Sequence, residues 1–259
     1  MKTLVKILKD QRGFTLMETL IGAVMGVIML GVTIGVFTHQ EDMLKDENDS
    51  TNIRAEGRRA IEELTQLIRM EGYGLPLNQG VTAMNSNSLS FRANLSNIST
   101  TTPPAGAGTF AAVSGSTAIN VVSASTFSDN DNIVIFDPSV GTVDFNQVNG
   151  TPSASSIPLQ NGLANNFIYG VNSNLILVNK YNQVTISQQG TNLVRTVDGV
   201  PQTIVGNLAT QNGLQFNYYG APNTASLYKI GVMLKLADPK NPNAVIEFKT
   251  DITLRNTVT

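Results

Sequence analysis

One feature limits what this chain can fold into more than any other: an apolar run that begins directly after an acid. Thr19 to Thr38 is a stretch of 20 residues without a charge. As a helix rising 1.5 Å per residue it spans about 30 Å, the thickness of a hydrocarbon core. Ahead of it Lys2, Lys6, Lys9 and Arg12 stand against Asp10, a local charge of +3. That leaves −5 for the rest of a chain whose net charge is −2. Behind it come Glu41, Asp42, Asp46, Glu47 and Asp49. Positive flanks stay on the cytoplasmic side, so the expected topology is a single pass, N-terminus inside and C-terminus outside.

Two simpler kinds of segment compete with this reading. A cleavable secretory signal has a shorter apolar region closed by a small-x-small site. Nothing of that kind precedes Thr38-His39-Gln40. A plain signal anchor fits the hydropathy but leaves Glu18 unexplained. A carboxylate at the head of a membrane helix is costly unless paired, and intramembrane acids mark function.

The block Arg12-Gly13-Phe14-Thr15-Leu16-Met17-Glu18 ahead of that run resembles the processing motif of type IV prepilins. The resemblance implies a leader of residues 1–13, cut after Gly13 by a prepilin peptidase that also N-methylates the new terminus at Phe14. A cleft closing on the backbone at Gly13 would leave no room for a Cβ. The resemblance further implies that Glu18 pairs with the Phe14 amine of a neighbouring subunit and so sets axial register. In low dielectric such an attraction offsets the desolvation of both charges.

Within the run, Gly22, Gly26, Gly31 and Gly35 form two Gly-x-x-x-Gly pairs on nearly opposite helix faces. Small residues let helices approach closely, although glycine is also simply common in membrane helices. Gly35 stands where many filament-forming pilins carry a helix-breaking Pro.

Beyond the apolar run, residues 39–75 are expected to form the second half of the helix. Ile53, Gly57, Ala60, Ile61, Leu64, Leu67 and Ile68 share one face, and Gly72, Gly74 and Pro76 end it. A coiled-coil partner is the alternative, but the periodic run is under three heptads. After Pro76 the period becomes two. Leu89, Phe91, Ala93 and Leu95 alternate, as do Ile230 to Leu236 and Ile246 to Leu254, with turn signals at Asn161-Gly162 and Asp198-Gly199. Thr100 to Gly115, rich in Pro, Gly, Ala and Thr, is expected to be a loop. The predicted class is α+β: a long helix packed on an antiparallel head over residues 76–259. A β-rich subdomain is expected as an insert at about 116–180.

Later segments extend the resemblance to PilW-type minor pilins and, more distantly, to the larger minor pseudopilins of type II secretion. They are Ile68-Arg69-Met70-Glu71-Gly72-Tyr73-Gly74, Asn192-Leu193-Val194-Arg195, Leu214-Gln215-Phe216-Asn217-Tyr218 and Thr253-Leu254-Arg255-Asn256. The family implies a structural protein of the bacterial inner membrane that passes into a pilus. Its implied partners are the peptidase and methyltransferase, other minor and major pilins, the inner-membrane assembly platform, and the bilayer through residues 14–38. A secretion pseudopilin and a pilus-displayed adhesin are the other readings.

Signs of catalysis are few. With no Cys, the chain offers neither disulfides nor thiolate chemistry. The single histidine, His39, borders the apolar run, and no Gly-x-Ser-x-Gly elbow exists. Asp129-Asn130-Asp131-Asn132 lacks the spacing of a calcium loop and reads as a turn. Tyr218 is expected in the core and Tyr219 outside. The net charge gives no nucleic-acid footprint. No enzyme activity, metal or cofactor is expected. N-terminal mass spectrometry of the protein from cells should find a chain beginning at methylated Phe14. Recovery with residues 1–13 attached would overturn the processing reading.

Overall fold

Thr15 opens a helix whose start is built into the sequence. The computed structural model describes residues 15–169, 175–220, 226–241 and 244–256. Helix α1 runs Leu16–Arg69. Thr15 acts as its N-cap: the Glu18 amide donates to Thr15 Oγ1 at 3.3 Å and to the Thr15 carbonyl at 3.0 Å. Contacts divide the chain into Met1–Asn52 and Ile53–Thr259. The first unit, where described, is helix; the polar stretch 40–51 continues α1 without a break.

In the second unit, the last turns of α1 bury Ile53, Gly57, Ala60, Leu64, Leu67 and Ile68. Their 3–4 spacing is the face expected from the sequence. That face packs in one core with alternating residues of two sheets. The first sheet joins β1 (Val81–Asn85), β2 (Ser88–Ala93), β11 (Asn182–Gln189), β12 (Asn192–Val197) and β13 (Val200–Val205), in that order. The second joins β14 (Leu214–Tyr219), β15 (Lys229–Ala237) and β16 (Val245–Thr253). Every pairing is antiparallel. Leu89, Phe91, Ala93, Ile230, Val232, Leu234 and Leu236 are buried, as period two requires.

Gly57 is the close approach in this core. A Cβ there would land inside the Phe248 ring and against Leu236, so only glycine lets the β16 aromatic lie against the helix. Arg195 of β12 reaches Glu63 of α1 at 3.4 Å, an ion pair at the edge of the same contact.

A second core is built from chain that interrupts the first. Ala112, Ile119, Val121, Phe127, Ile133, Ile135, Ile157, Phe167, Ile176 and Val178 are among its residues. Here β3 (Ser99–Thr101), β10 (Leu177–Lys180), β6 (Asn132–Phe136) and β7 (Val143–Gln147) form a sheet. Two short ladders accompany it: β4 (Phe110–Ala112) with β9 (Phe167–Ile168), and β5 (Ala118–Asn120) with β8 (Ser156–Pro158). The expectation of a loop over Thr100–Gly115 is therefore corrected at both ends. Thr100 and Thr101 pair with Val178 and Leu177, and Phe110 pairs with Ile168. Partner strands far along the sequence supply the ladder, and local composition cannot register that.

A third, small cluster comprises Leu75, Val134 and Tyr181, with Phe136, Val143 and Phe145 against it. Arg92 of β2 inserts here, its guanidinium 4.2 Å from the Phe145 ring centroid and 5.4 Å from that of Tyr181. The two rings meet edge to face at 5.5 Å. A cation desolvated against two aromatic faces is held by their quadrupoles. The Asp198-Gly199 signal forms the two-residue turn between β12 and β13, with φ of 49° and 85°.

Gly57→Leu should destabilise the second unit by about 1–3 kcal/mol through overpacking. In urea denaturation, adding Phe248→Ala should recover part of that loss. Additive effects would show that the helix and β16 do not share this contact.

Candidate functional site

Along α1, the first unit presents an apolar surface with no partner in the fold. From Leu16 to Phe37, every large apolar side chain is 51–85% exposed. They lie on all faces of the helix, not along one stripe. A helix apolar all round is buried in a membrane or among other helices. This is the one helix among the described residues long and apolar enough to cross a membrane.

Polar groups inside the run are satisfied locally. Thr33 donates its hydroxyl to the Met29 carbonyl at 2.8 Å. Thr38 donates to Ile34 and Gly35 carbonyls at 3.2 and 3.0 Å, and Thr19 to the Thr15 carbonyl at 3.4 Å. A hydroxyl bonded back to its own helix needs no water, which suits an apolar surrounding. At Gly22, Gly26, Gly31 and Gly35 an added Cβ would meet nothing within 4 Å. Nothing in the chain itself therefore asks for glycine at these four positions.

Glu18 occupies the third helical position, where Thr15 and Glu18 have the spacing of a capping box. Its amide is used by the cap, while its carboxylate has no hydrogen bond or ion pair among the described residues. A negative group in the first turn also meets the positive end of the helix dipole. This capping role went unnoticed in the sequence, although Thr-x-x-Glu before an apolar run is its signature. Gly13 and Phe14, the expected cleavage and methylation residues, lie outside the described residues.

In the second unit, the sequence segments singled out earlier are dispersed, with one convergence. Gly72 and Gly74 follow the helix with φ of 68° and 74°. The Gly72 amide donates to the Arg92 carbonyl at 2.9 Å, and Asn94 donates to the Tyr73 carbonyl at 2.8 Å. A Cβ on Gly72 would overlap the Asn256 side chain, whose amide donates to the Pro76 carbonyl at 3.1 Å. The segments 68–74 and 253–256 thus meet. Asn192–Arg195 opens β12 and Leu214–Tyr218 lies in β14.

Among the described residues no group of three His, Cys, Asp or Glu side chains converges to hold a metal. His39 is exposed on α1. Asp131 in the 129–132 turn is engaged by Lys180 at 2.6 Å and by the Ser128 amide at 2.9 Å. Asp129 accepts the Gly150 amide at 2.6 Å. The carboxylates there close a turn. Tyr218 lies half-buried, its hydroxyl donating toward the Asn85 and Ser88 carbonyls at 2.8 and 3.0 Å, and Tyr219 faces out. Burial raises the Tyr218 hydroxyl above its ordinary range.

The chemically unusual residue of the second unit is Glu71, which sequence reading passed over as part of a helix end. It is 3% exposed, and its Oε2 has no partner. Gly80 lies so close that a Cβ would overlap Oε1. Burial pushes the carboxyl up to about 7, with the Val81 amide as a partial counterweight. The only sequence signal was an acid between two residues of the buried helix face and two glycines.

A scan against protein-family models returns no match, and neither does a search of characterised proteins.

The Glu71 shift has a definite sign. The folded state favours the neutral acid, so this stabilisation is complete below about pH 4.5 and is lost as pH rises through about 7. Urea denaturation between pH 5 and 8 should show stability falling by on the order of 2–3 kcal/mol from this group. Glu71→Gln should flatten that slope; an unchanged slope would mean that Glu71 is charged in the fold.

Proposed function

We propose that this chain is a minor type IV pilin of the PilW type, anchored by α1 in the bacterial inner membrane and built into a pilus-type filament. One observation carries the reading. Glu18, whose carboxylate has no partner among the described residues, heads a helix whose apolar surface from Leu16 to Phe37 is exposed. Such a helix needs apolar surroundings, and the acid within them needs a cation. A free amine at Phe14 of an adjacent subunit supplies it, once a peptidase has cut after Gly13.

In this role residues 14–38 first cross the bilayer and then pack among the helices of other subunits. The same surface serves both settings because both are apolar. Four glycines with open space about them permit helix backbones to approach from more than one side. The β-rich part stands in the periplasm and then on the filament, and it initiates assembly with other minor pilins. Energy for extension comes from the inner-membrane assembly platform.

Glu18→Ala should leave cleavage after Gly13 largely intact yet reduce incorporation into sheared surface pili at least tenfold. Immunoblots of membrane and sheared fractions read both quantities. Normal incorporation of the variant would refute the pairing. Glu18→Gln removes the charge at nearly constant size, so its incorporation should fall about as far as that of Glu18→Ala, while the backbone cap to Thr15 is untouched in both.

A further inference from the structure

A groove of ≈ 510 Å³ lies where the turn after α1 meets the second core. Tyr73 and Gly74 form one side, the loop bearing Asn94 and Asn97 another, and β3 and β10 the floor. We propose that this groove binds a neutral saccharide, a ligand of one or two sugar rings. The proposal is independent of the filament reading, because it concerns residues of the second unit alone.

The lining carries no charge. Three asparagines, Ser99, Thr100, Thr101, a tyrosine, Val122 and Leu177 surround the space, with Gly74. A groove without Asp, Glu, Lys or Arg offers nothing to an ionic ligand. Amides and hydroxyls both donate and accept, which is what sugar hydroxyls require. The size falls within the range of small-molecule sites.

Two amides are oriented by the fold, and one of them, Asn97, keeps an accessible donor. Asn179 is 7% exposed, and its Nδ2 donates to the Gly74 carbonyl at 2.6 Å. That bond fixes which end is nitrogen, and Oδ1 remains buried without a donor. Asn179 thereby ties β10 to the turn at Gly74. Asn97 is held by the Tyr73 hydroxyl, which donates to its Oδ1 at 3.0 Å. Asn97 is exposed and its Nδ2 makes no hydrogen bond among the described residues, so that donor is open to a ligand. The Tyr73 ring is 50% exposed. Its face is a flat apolar platform of the kind on which the C–H face of a pyranose stacks.

A second polar cleft, around Ser86, Asn87, Gln188 and Gln215, serves as an internal contrast. It has no aromatic ring. Its Gln188 amide is consumed by the fold, donating to the Gly190 and Ala209 carbonyls and accepting from the Leu214 amide.

The test uses the full chain in lauryldimethylamine oxide micelles, whose head group contains no sugar. Maltose, cellobiose, lactose and N,N′-diacetylchitobiose are the probes, at millimolar concentration, read by saturation-transfer NMR. At least one should receive saturation. Tyr73→Ala and Asn97→Gly should each weaken it about tenfold or more; glycine tolerates the left-handed backbone at 97, where φ is 53°. Tyr73→Phe keeps the ring and should fall in between, while Gln215→Ala in the other cleft should leave binding unchanged. Thermal melts confirm that each variant is folded. No transfer from the wild-type chain to any of the four sugars overturns the proposal. So does transfer that both groove variants leave intact.

Discussion

The apolar surface of α1 between Leu16 and Phe37 cannot remain in water, and the fold gives it nothing to pack against. Burying a single large aliphatic side chain is worth about 1.5–3 kcal/mol, and here more than a dozen stand exposed on one helix. The free energy of removing them from water is therefore available only to an outside medium. Lipid satisfies it, and so do like helices. The threonines bonded back to their own carbonyls make the helix indifferent to which of the two it meets. Glu18 is the exception to that indifference, because lipid alone offers a carboxylate no counter-charge. Filament association under the proposed role resolves the conflict with an amine.

The same constraint made the first unit easy to read. A charge-free run has one physical outcome, and its length, flanks and helical state follow from residue types alone. Strand alternation was nearly as legible where one face is buried, as in Leu89–Phe91–Ala93 and Ile230–Val232–Leu234–Leu236. It failed where pairing is decided by distant chain. Thr100–Thr101 and Phe110–Ala112 look like linker because Pro, Gly and Ala surround them. They become strands because β10 and β9 offer free edges. Glu71 was hidden for a related reason: its burial depends on Gly80 and the neighbouring backbone, and no local pattern encodes that.

The site was legible to a different degree. Glu18 stood out because charge in an apolar run is conspicuous at any scale. The groove at Tyr73 did not stand out at all. Its asparagines come from two segments more than eighty residues apart, and the chain is rich in Asn throughout. Only the hydrogen bond from Tyr73 to Asn97 distinguishes an amide with an accessible donor from saturated ones such as Gln188.

The interleaving of the two cores also dictates an order of events during synthesis. Strand β2 finds its second neighbour only in β11, with Arg92 opposite Gln183. All the chain of the second core lies between them. A polypeptide emerging from its N-terminus must hold β1, β2 and the apolar face of the helix without their closing strands until about ninety more residues have been delivered. The intervening block contains all of its own sheet partners, so it can condense first and bring β2 and β11 within reach. Closing a loop around a folded body costs less entropy than closing one around a free coil. The later strands then complete a core whose first residues were made long before.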